Sequence, residues 1–170
     1  MIRESREDDL TAVLAVINDA AQAYKGVIPA DRWHEPYMPP VELAQEIADG
    51  VRFWVAEGNG RVTGVMGIQD KGEVALVRHA YVATELQRKG VGAGLLKHVQ
   101  SLTSKPMLIG TWRDATWAIA FYQRNRFTLL SDSDKDELLR RFWSIPARQA
   151  ETSVVLADQR WLERTAAAKA

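Results

Sequence analysis

Residues 87–94 read Gln-Arg-Lys-Gly-Val-Gly-Ala-Gly, a glycine-rich stretch of the kind that binds phosphate. An apolar, β-branched segment from Val74 to Val82 precedes it, and a helical pattern of apolar residues from Val91 to Leu102 follows it. A strand that turns through glycines into a helix presents free backbone N–H groups at the positive end of the helix dipole. The stretch therefore predicts an anion site for a phosphate group.

Two common phosphate motifs do not fit this stretch. A P-loop needs Gly-x-x-x-x-Gly-Lys-[Ser/Thr], and the chain has no such run, which argues against hydrolysis of a nucleoside triphosphate. A dinucleotide fingerprint needs a third glycine where this chain has Leu95, and the strand that should follow lacks a terminal acidic residue for a ribose.

A third pattern, [Gln/Arg]-x-x-Gly-x-[Gly/Ala] between a strand and a helix, is satisfied by Gln87, Gly90 and Gly92. With it the chain resembles the GNAT superfamily of acetyl-CoA-dependent N-acetyltransferases, from Ile2 to about Ala157. The resemblance implies that this turn holds the pyrophosphate of coenzyme A and that the end of the preceding strand contacts the pantetheine arm. The implied donor-binding residues are Tyr81, Val82, Gln87, Arg88, Lys89, Gly90, Val91, Gly92, Ala93 and Gly94.

A second motif supports the same resemblance. The segment 112–127 is similar to the next strand end and helix of the family, and its aromatic pair Phe121-Tyr122 implies that Tyr122 is the general acid. Two positions depart from the family pattern. Ala115 replaces an asparagine, and Arg126 replaces a glycine, so we expect Asn125 to take the left-handed conformation at the end of the helix.

The general base is less well defined. The glutamate that some members use corresponds to Leu76. His79 has a suitable intrinsic pKa, although the sequence favours a structural histidine over a catalytic one. Strict alternation along a strand predicts that Arg78 and His79 point to opposite faces. A water relaying the proton to a carboxylate, Glu57 or Glu73, is the other alternative.

The acceptor side is represented by an aromatic cluster in the loop 26–40. In the family this region covers the substrate, so Trp33, His34 and Tyr37 are candidate substrate-binding residues; the alternative is a hydrophobic loop packed on the core. The three histidines are scattered and the chain has no cysteine, so we expect no metal site.

Composition limits the other functions. Lys plus Arg and Asp plus Glu each number 22 in 170 residues, and this zero net charge gives no reason to expect nucleic acid or a membrane surface as a partner. The charged first ten residues and the absence of cysteine favour a cytoplasmic location. The sequence leaves open whether the protein forms a homodimer.

The predicted element order is βααβββαβα followed by further strands, including an Asn-Gly hairpin at 59–60. It predicts a single α/β domain over residues 1–170, with a mixed, mostly antiparallel sheet of the GNAT type, a core over about 2–157 and a tail over 158–170. The expected activity is acetyl transfer from acetyl-CoA to a primary amine of a small molecule. The alternatives are a non-catalytic acyl-CoA sensor and a peptide or protein acetyltransferase.

Overall fold

The hairpin at Asn59-Gly60 connects the two middle strands in the amino-terminal half of the sheet. A computed structural model describes residues 1–170, and in it Asn59 and Gly60 both have positive φ, which a tight two-residue hairpin turn requires. The strands are β1 (Ile2–Glu4), β2 (Val51–Gly58), β3 (Arg61–Asp70), β4 (Ala75–Val82), β5 (Met107–Trp112), β6 (Thr128–Leu129) and β7 (Ser153–Ala157).

The seven strands form one sheet in the order β1-β2-β3-β4-β5-β7-β6, in which only β4 and β5 are parallel. The predicted mixed, mostly antiparallel sheet in a single α/β domain is therefore confirmed. The helices are α1 (Leu10–Ala21), α2 (Pro40–Ala48), α3 (Val91–Ser101), α4 (Thr116–Arg124), α5 (Asp132–Phe142), α6 (Ala147–Glu151) and α7 (Gln159–Lys169). The sequence pattern did not predict α6.

Helices cover both faces of the sheet, and alternation along the strands decides which residues they meet. On β4, Ala75 and Val77 pack with α3 and α4, whereas Leu76 and the preceding Val74 pack with α5 on the other face. On that second face α1 and α2 cover β2 and β3. No helix of the chain is long and apolar enough to span a membrane.

A β-bulge interrupts this alternation in the middle of β4. Val65 of β3 pairs with Tyr81 and Gly67 pairs with Arg78, so two residues of β4 lie opposite the single residue between them on β3. The bulge places His79 at φ 53. Because one residue is added, Ala80 packs on the α3 face and Tyr81 packs on the α1 face.

Candidate active site

The parallel strands β4 and β5 separate at one end, and this split is the centre of the site. Their ladder runs from the Ala75–Met107 pair to the Val77–Ile109 pair and then stops. Beyond it, β4 has no β5 partner from Arg78 to Val82, although β5 continues to Trp112. An unpaired strand edge offers N–H and C=O groups to an extended ligand, as a further strand would.

A cleft of about 470 Å³ opens at this split. Fifteen of its 21 lining residues are hydrophobic, so it suits a ligand with a long apolar portion. Its lining contains seven of the ten predicted donor-binding residues: Tyr81, Val82, Gln87, Arg88, Gly90, Gly92 and Ala93. Gly90 also borders a second cleft, which is where Lys89, Val91 and Gly94 lie.

The amino-terminal end of α3 forms the polar end of the main cleft. Gly90 caps the helix at φ 88 in the left-handed region, and Gly94 makes the first helical hydrogen bond back to the Gly90 carbonyl at 3.0 Å. The N–H groups of residues 91–93 therefore have no partner within the helix. Together with Arg88, which lines the same cleft, they make this end suitable for phosphate.

Gly92 allows the chain to lie close to helix α4. A Cβ at this position would be 3.2 Å from Phe121 Cζ and 3.5 Å from Val82 Cγ2. The same position borders the cleft, so a larger side chain there would fill space that a ligand backbone needs. The side-chain amide of Gln87 donates to the Val82 carbonyl at 3.1 Å. This hydrogen bond joins the turn to the end of β4.

Tyr122 lies on α4 with its ring buried at 7% exposure, and it lines the cleft. Burial raises the pKa of its hydroxyl, and the nearby Tyr24 adds to the rise. The hydroxyl therefore keeps its proton at neutral pH, as a general acid must. Tyr122 packs edge-on against Phe121 and Phe127, with ring centroids 5.1 Å and 6.0 Å away, which holds the ring in one orientation.

The predicted base residues lie outside this cleft. His79 Nε2 lies 3.0 Å from Glu46 Oε2, and its ring stacks on Phe53 with centroids 6.0 Å apart. The expectation that Arg78 and His79 point to opposite faces is wrong, because Arg78 Nη2 also reaches Glu46, at 2.9 Å. The bulge at His79 adds a residue between two ladder pairs and so cancels the alternation.

Glu46 organises this group of charges. Burial disfavours its ionised form, but the contact with His79 and the charges of Arg78 and Lys71 outweigh burial and lower its pKa below the usual range. The two carboxylates considered as alternatives are bound elsewhere. Glu57 accepts from Arg3 at 2.9 Å, and Glu73 pairs with Arg141; neither lines the main cleft.

The residues at the two departures from the family pattern have clear positions. Ala115 is fully buried beside Ile28 and Trp112, so it is a core residue rather than a residue of the cleft. Arg126 takes the left-handed conformation at φ 68, so the expectation that Asn125 does so is wrong. The Asn125 side chain instead donates to the Phe121 carbonyl at 2.8 Å and ends the helix in this way.

The loop before α2 is packed onto the rest of the domain. Trp112 Nε1 donates to the Tyr37 hydroxyl at 3.0 Å. Tyr37 stacks on Trp33 and His34 with centroids 5.8 Å and 6.2 Å away. None of the three lines the main cleft, but Tyr37 contacts Tyr24, which does, at a centroid distance of 5.4 Å.

Four polar or aromatic side chains of the cleft were not predicted from the sequence as cleft residues. Tyr24 follows α1, and the sequence contains no signal that brings it to the β4–β5 split. Trp117 lies on α4 and is 44% exposed at the cleft. Arg124 and Asn125 lie one helical turn after Phe121, and this i, i+3 and i, i+4 spacing could have identified them.

Comparisons with known proteins agree with this architecture. The family described as acetyltransferase (GNAT) domain matches residues 49–129, which include the glycine turn and the Tyr122 helix. No curated protein sequence matches the chain. Residues 49–129 match the GNAT acetyltransferase family, as the sequence motifs predicted.

Solved structures share the fold at low sequence identity. The PaiA N-acetyltransferase from Thermoplasma acidophilum, in complex with coenzyme A, superposes with a TM-score of 0.71 at 17% identity, over 93% of this chain and 97% of that one. A GNAT acetyltransferase from Staphylococcus aureus Mu50 gives 0.70 at 15% identity, over 93% and 97%. The ribosomal-protein-S18-alanine N-acetyltransferase from Escherichia coli gives 0.65 at 16% identity, over 93% and 92%.

Proposed function

We propose that this protein transfers an acetyl group from acetyl-CoA to a primary amine of a small molecule, with Tyr122 as the general acid. One observation carries the proposal: a single cleft joins the free N–H groups of α3 to the buried Tyr122 hydroxyl, along an unpaired edge of β4. These are the features that a thioester with a phosphate-containing handle requires at its two ends.

The residues of the cleft fit acetyl-CoA from end to end. The α3 amino terminus and Arg88 suit the pyrophosphate, and Gly92 leaves room for the pantetheine arm beside Phe121. The edge of β4 from Arg78 to Val82 offers hydrogen bonds to the amides of that arm. A free N–H on the same edge can polarise the thioester carbonyl.

The transfer needs one proton at the leaving group. The amine nitrogen attacks the carbonyl carbon, the new C–N bond forms and the C–S bond breaks, and the thiolate takes the Tyr122 proton. The nitrogen loses its extra proton to water, and the tyrosinate is then reprotonated from solvent. A positioned acid of this kind contributes about 10²–10⁴ to a rate. The role of His79 as general base stays a prediction.

The contacts that hold the loop 26–40 in place support a small molecule over a protein chain. The loop 26–40 is held at Tyr37 by Trp112 and at Asp31 by Arg148, whose Nε lies 3.3 Å from the carboxylate. A polypeptide acceptor needs an open groove for residues beyond the reacting amine. A peptide acceptor is kept as the second candidate because the structural neighbours include protein-alanine acetyltransferases.

The test is the release of thiol from acetyl-CoA across a panel of small amines and a peptide with an amino-terminal alanine. We expect turnover with a small amine, and we expect Tyr122→Phe to lower kcat by about 10²-fold or more while coenzyme A still binds in calorimetry. Gln123→Ala, an exposed neighbour on α4, is the matched control and should keep wild-type kcat.

Each other result has a definite meaning. Binding of coenzyme A without turnover of any amine favours an acyl-CoA sensor. Turnover of the peptide alone favours a protein acetyltransferase. If coenzyme A does not bind at all, the donor site proposed here is wrong.

A further inference from the structure

We propose that the acceptor is a monoamine with an aromatic body, bound against a cluster of aromatic rings at the β4–β5 split; this rests on the proposed function. The cluster, here named the aromatic wall, contains Tyr24, Trp33, Tyr37, Tyr81 and Trp117. The rings of the wall converge at one place, and those of Tyr24, Tyr81 and Trp117 line the cleft. Most of the neighbouring carboxylates are already bound to other groups of the protein.

All four tyrosines of the chain meet at this one place. Tyr24 is the central ring, and its centroid lies 5.4 Å from that of Tyr37 and 6.3 Å from that of Tyr81. The remaining tyrosine, Tyr122, lines the same cleft as Tyr24 and lies close enough for the charge of Tyr24 to raise the pKa of its hydroxyl. The aromatic wall therefore adjoins the proposed general acid.

The wall joins the two faces of the sheet across the split. Tyr24 follows α1 on one face, and Trp117 lies on α4 on the other, with ring centroids 5.9 Å apart and an interplanar angle of 30°. Both rings line the cleft, and Trp117 is 44% exposed. An open ring face beside a reaction centre suits stacking with a flat aromatic group.

Carboxylates that could bind a polyamine are largely occupied. Residues 10–48 contain five acidic side chains, and four of them are already bound. They are Asp19 with the Thr84 N–H at 2.8 Å, Asp31 with Arg148, Glu35 with Lys25 at 3.1 Å, and Glu46 with Arg78 and His79. The main cleft itself is lined by no acidic residue.

Glu42 is the fifth, and its side chain makes no hydrogen bond or ion pair. It lies in the first turn of α2, near enough to Tyr37 for its charge to add to the effect of burial in raising the pKa of that hydroxyl. One free carboxylate beside Tyr37 can attract one ammonium group. A second ammonium inside the apolar cleft would lose its hydration without a partner, which is costly.

The test compares four acceptors: 2-phenylethylamine, 2-cyclohexylethylamine, butane-1,4-diamine and a peptide with amino-terminal alanine. The first two have similar size and both are apolar, but only one has an aromatic ring. We expect kcat/KM for the phenyl compound to exceed that for the cyclohexyl compound by about twofold to tenfold, the range that an aromatic pair adds. It should exceed that for the diamine by about tenfold or more.

Variants of Trp117 show whether the wall is responsible. Trp117→Leu should remove the difference between the phenyl and cyclohexyl compounds, and Trp117→Phe should keep it. The ratio of two amines is independent of any change in donor binding, so it reports the acceptor site. An exposed side chain such as Trp117 also makes a folding failure improbable as a cause.

Equal kcat/KM for the two ring compounds, or a preference for the diamine or the peptide, would overturn the proposal. If no amine is acetylated, the proposed function fails first. Calorimetry with the coenzyme A-loaded protein then tests the wall separately. Tighter binding of 2-phenylethylamine than of 2-cyclohexylethylamine supports an aromatic site, and equal binding contradicts it.

Discussion

Gly67 lies opposite the carbonyl of Arg78 so closely that a Cβ on Gly67 would be 2.8 Å from the Arg78 oxygen. The same Cβ would be 2.8 Å from Val51 Cγ1 and 3.2 Å from Phe53 Cε1. The β-bulge on β4 therefore depends on a missing side chain on β3. Without the bulge, Tyr81 would not face α1, and the aromatic wall would lose one ring.

Gly67→Ala should destabilise the protein by about 1–3 kcal/mol, because an added methyl group must displace backbone and core atoms on both sides. Urea unfolding measures this change. Gly58→Ala is the control on the neighbouring strand, since its Cβ would be 3.6 Å from Thr63 Cγ2, an ordinary contact. Equal stability of the two variants would show that the bulge tolerates a side chain at Gly67.

The pair of Glu46 with Arg78 and His79 predicts a pH dependence of stability. The pKa of Glu46 is lowered in the folded state, so its contribution is full above the ordinary glutamate value of about 4.3 and is lost as pH falls through the lowered value. The free energy of unfolding should therefore decrease on acidification in this range. Glu46→Gln should show a smaller decrease than wild type in urea unfolding at each pH.

Glu137→Gln is the matched control for this measurement, because Glu137 is exposed on α5 and makes no side-chain hydrogen bond or ion pair. It should follow the wild-type pH dependence. A curve for Glu46→Gln that is parallel to the wild-type curve would mean that the cluster on β4 does not stabilise ionised Glu46.

Gly92→Val should weaken coenzyme A binding by about tenfold or more. Its Cβ would lie 3.2 Å from Phe121 Cζ, and the two further methyl groups would occupy the cleft between α3 and α4. Titration calorimetry gives the Kd directly. Lys97→Ala, an exposed position on the same helix, should bind as wild type does. If Gly92→Val binds coenzyme A with unchanged affinity, the pantetheine arm does not bind in this part of the cleft.

The raised pKa of Tyr122 predicts the shape of the pH–rate profile. Burial and the nearby Tyr24 raise this pKa above the ordinary value of about 10, so the acid stays protonated over the accessible range. With saturating donor and acceptor, kcat should show no falling limb below about pH 10. A decrease near pH 8 would identify a different proton donor.

The local motifs were predicted well from sequence because each depends on neighbours along the chain. The glycine turn follows a strand and opens α3, and Asn59-Gly60 forms its hairpin. The residues of the donor cleft come from two short segments, 81–93 and 117–125, together with single residues from elsewhere. Spacing within a segment is preserved on folding, so most of the residues that line the main cleft near the glycine turn could be predicted.

The acceptor side was not predictable in the same way. Tyr24, Tyr37, Tyr81 and Trp117 are separated by 13 to 44 residues along the chain, and no spacing rule relates them. His79 illustrates the same limit, because its partner Glu46 lies on a helix 33 residues earlier. The bulge that turns His79 toward Glu46 depends on Gly67 of another strand.

The amino-acid sequence by itself determined the fold class and the glycine turn at one end of the cleft, since hydrophobic periodicity and glycine placement act over a few residues. The tertiary structure alone decided where β4 and β5 separate, which residues face α1 after the bulge, and that Tyr37 and Tyr81 pack beside Tyr24. Those features arise from contacts between distant segments, whose geometry is defined only when the whole sheet and its helices pack together.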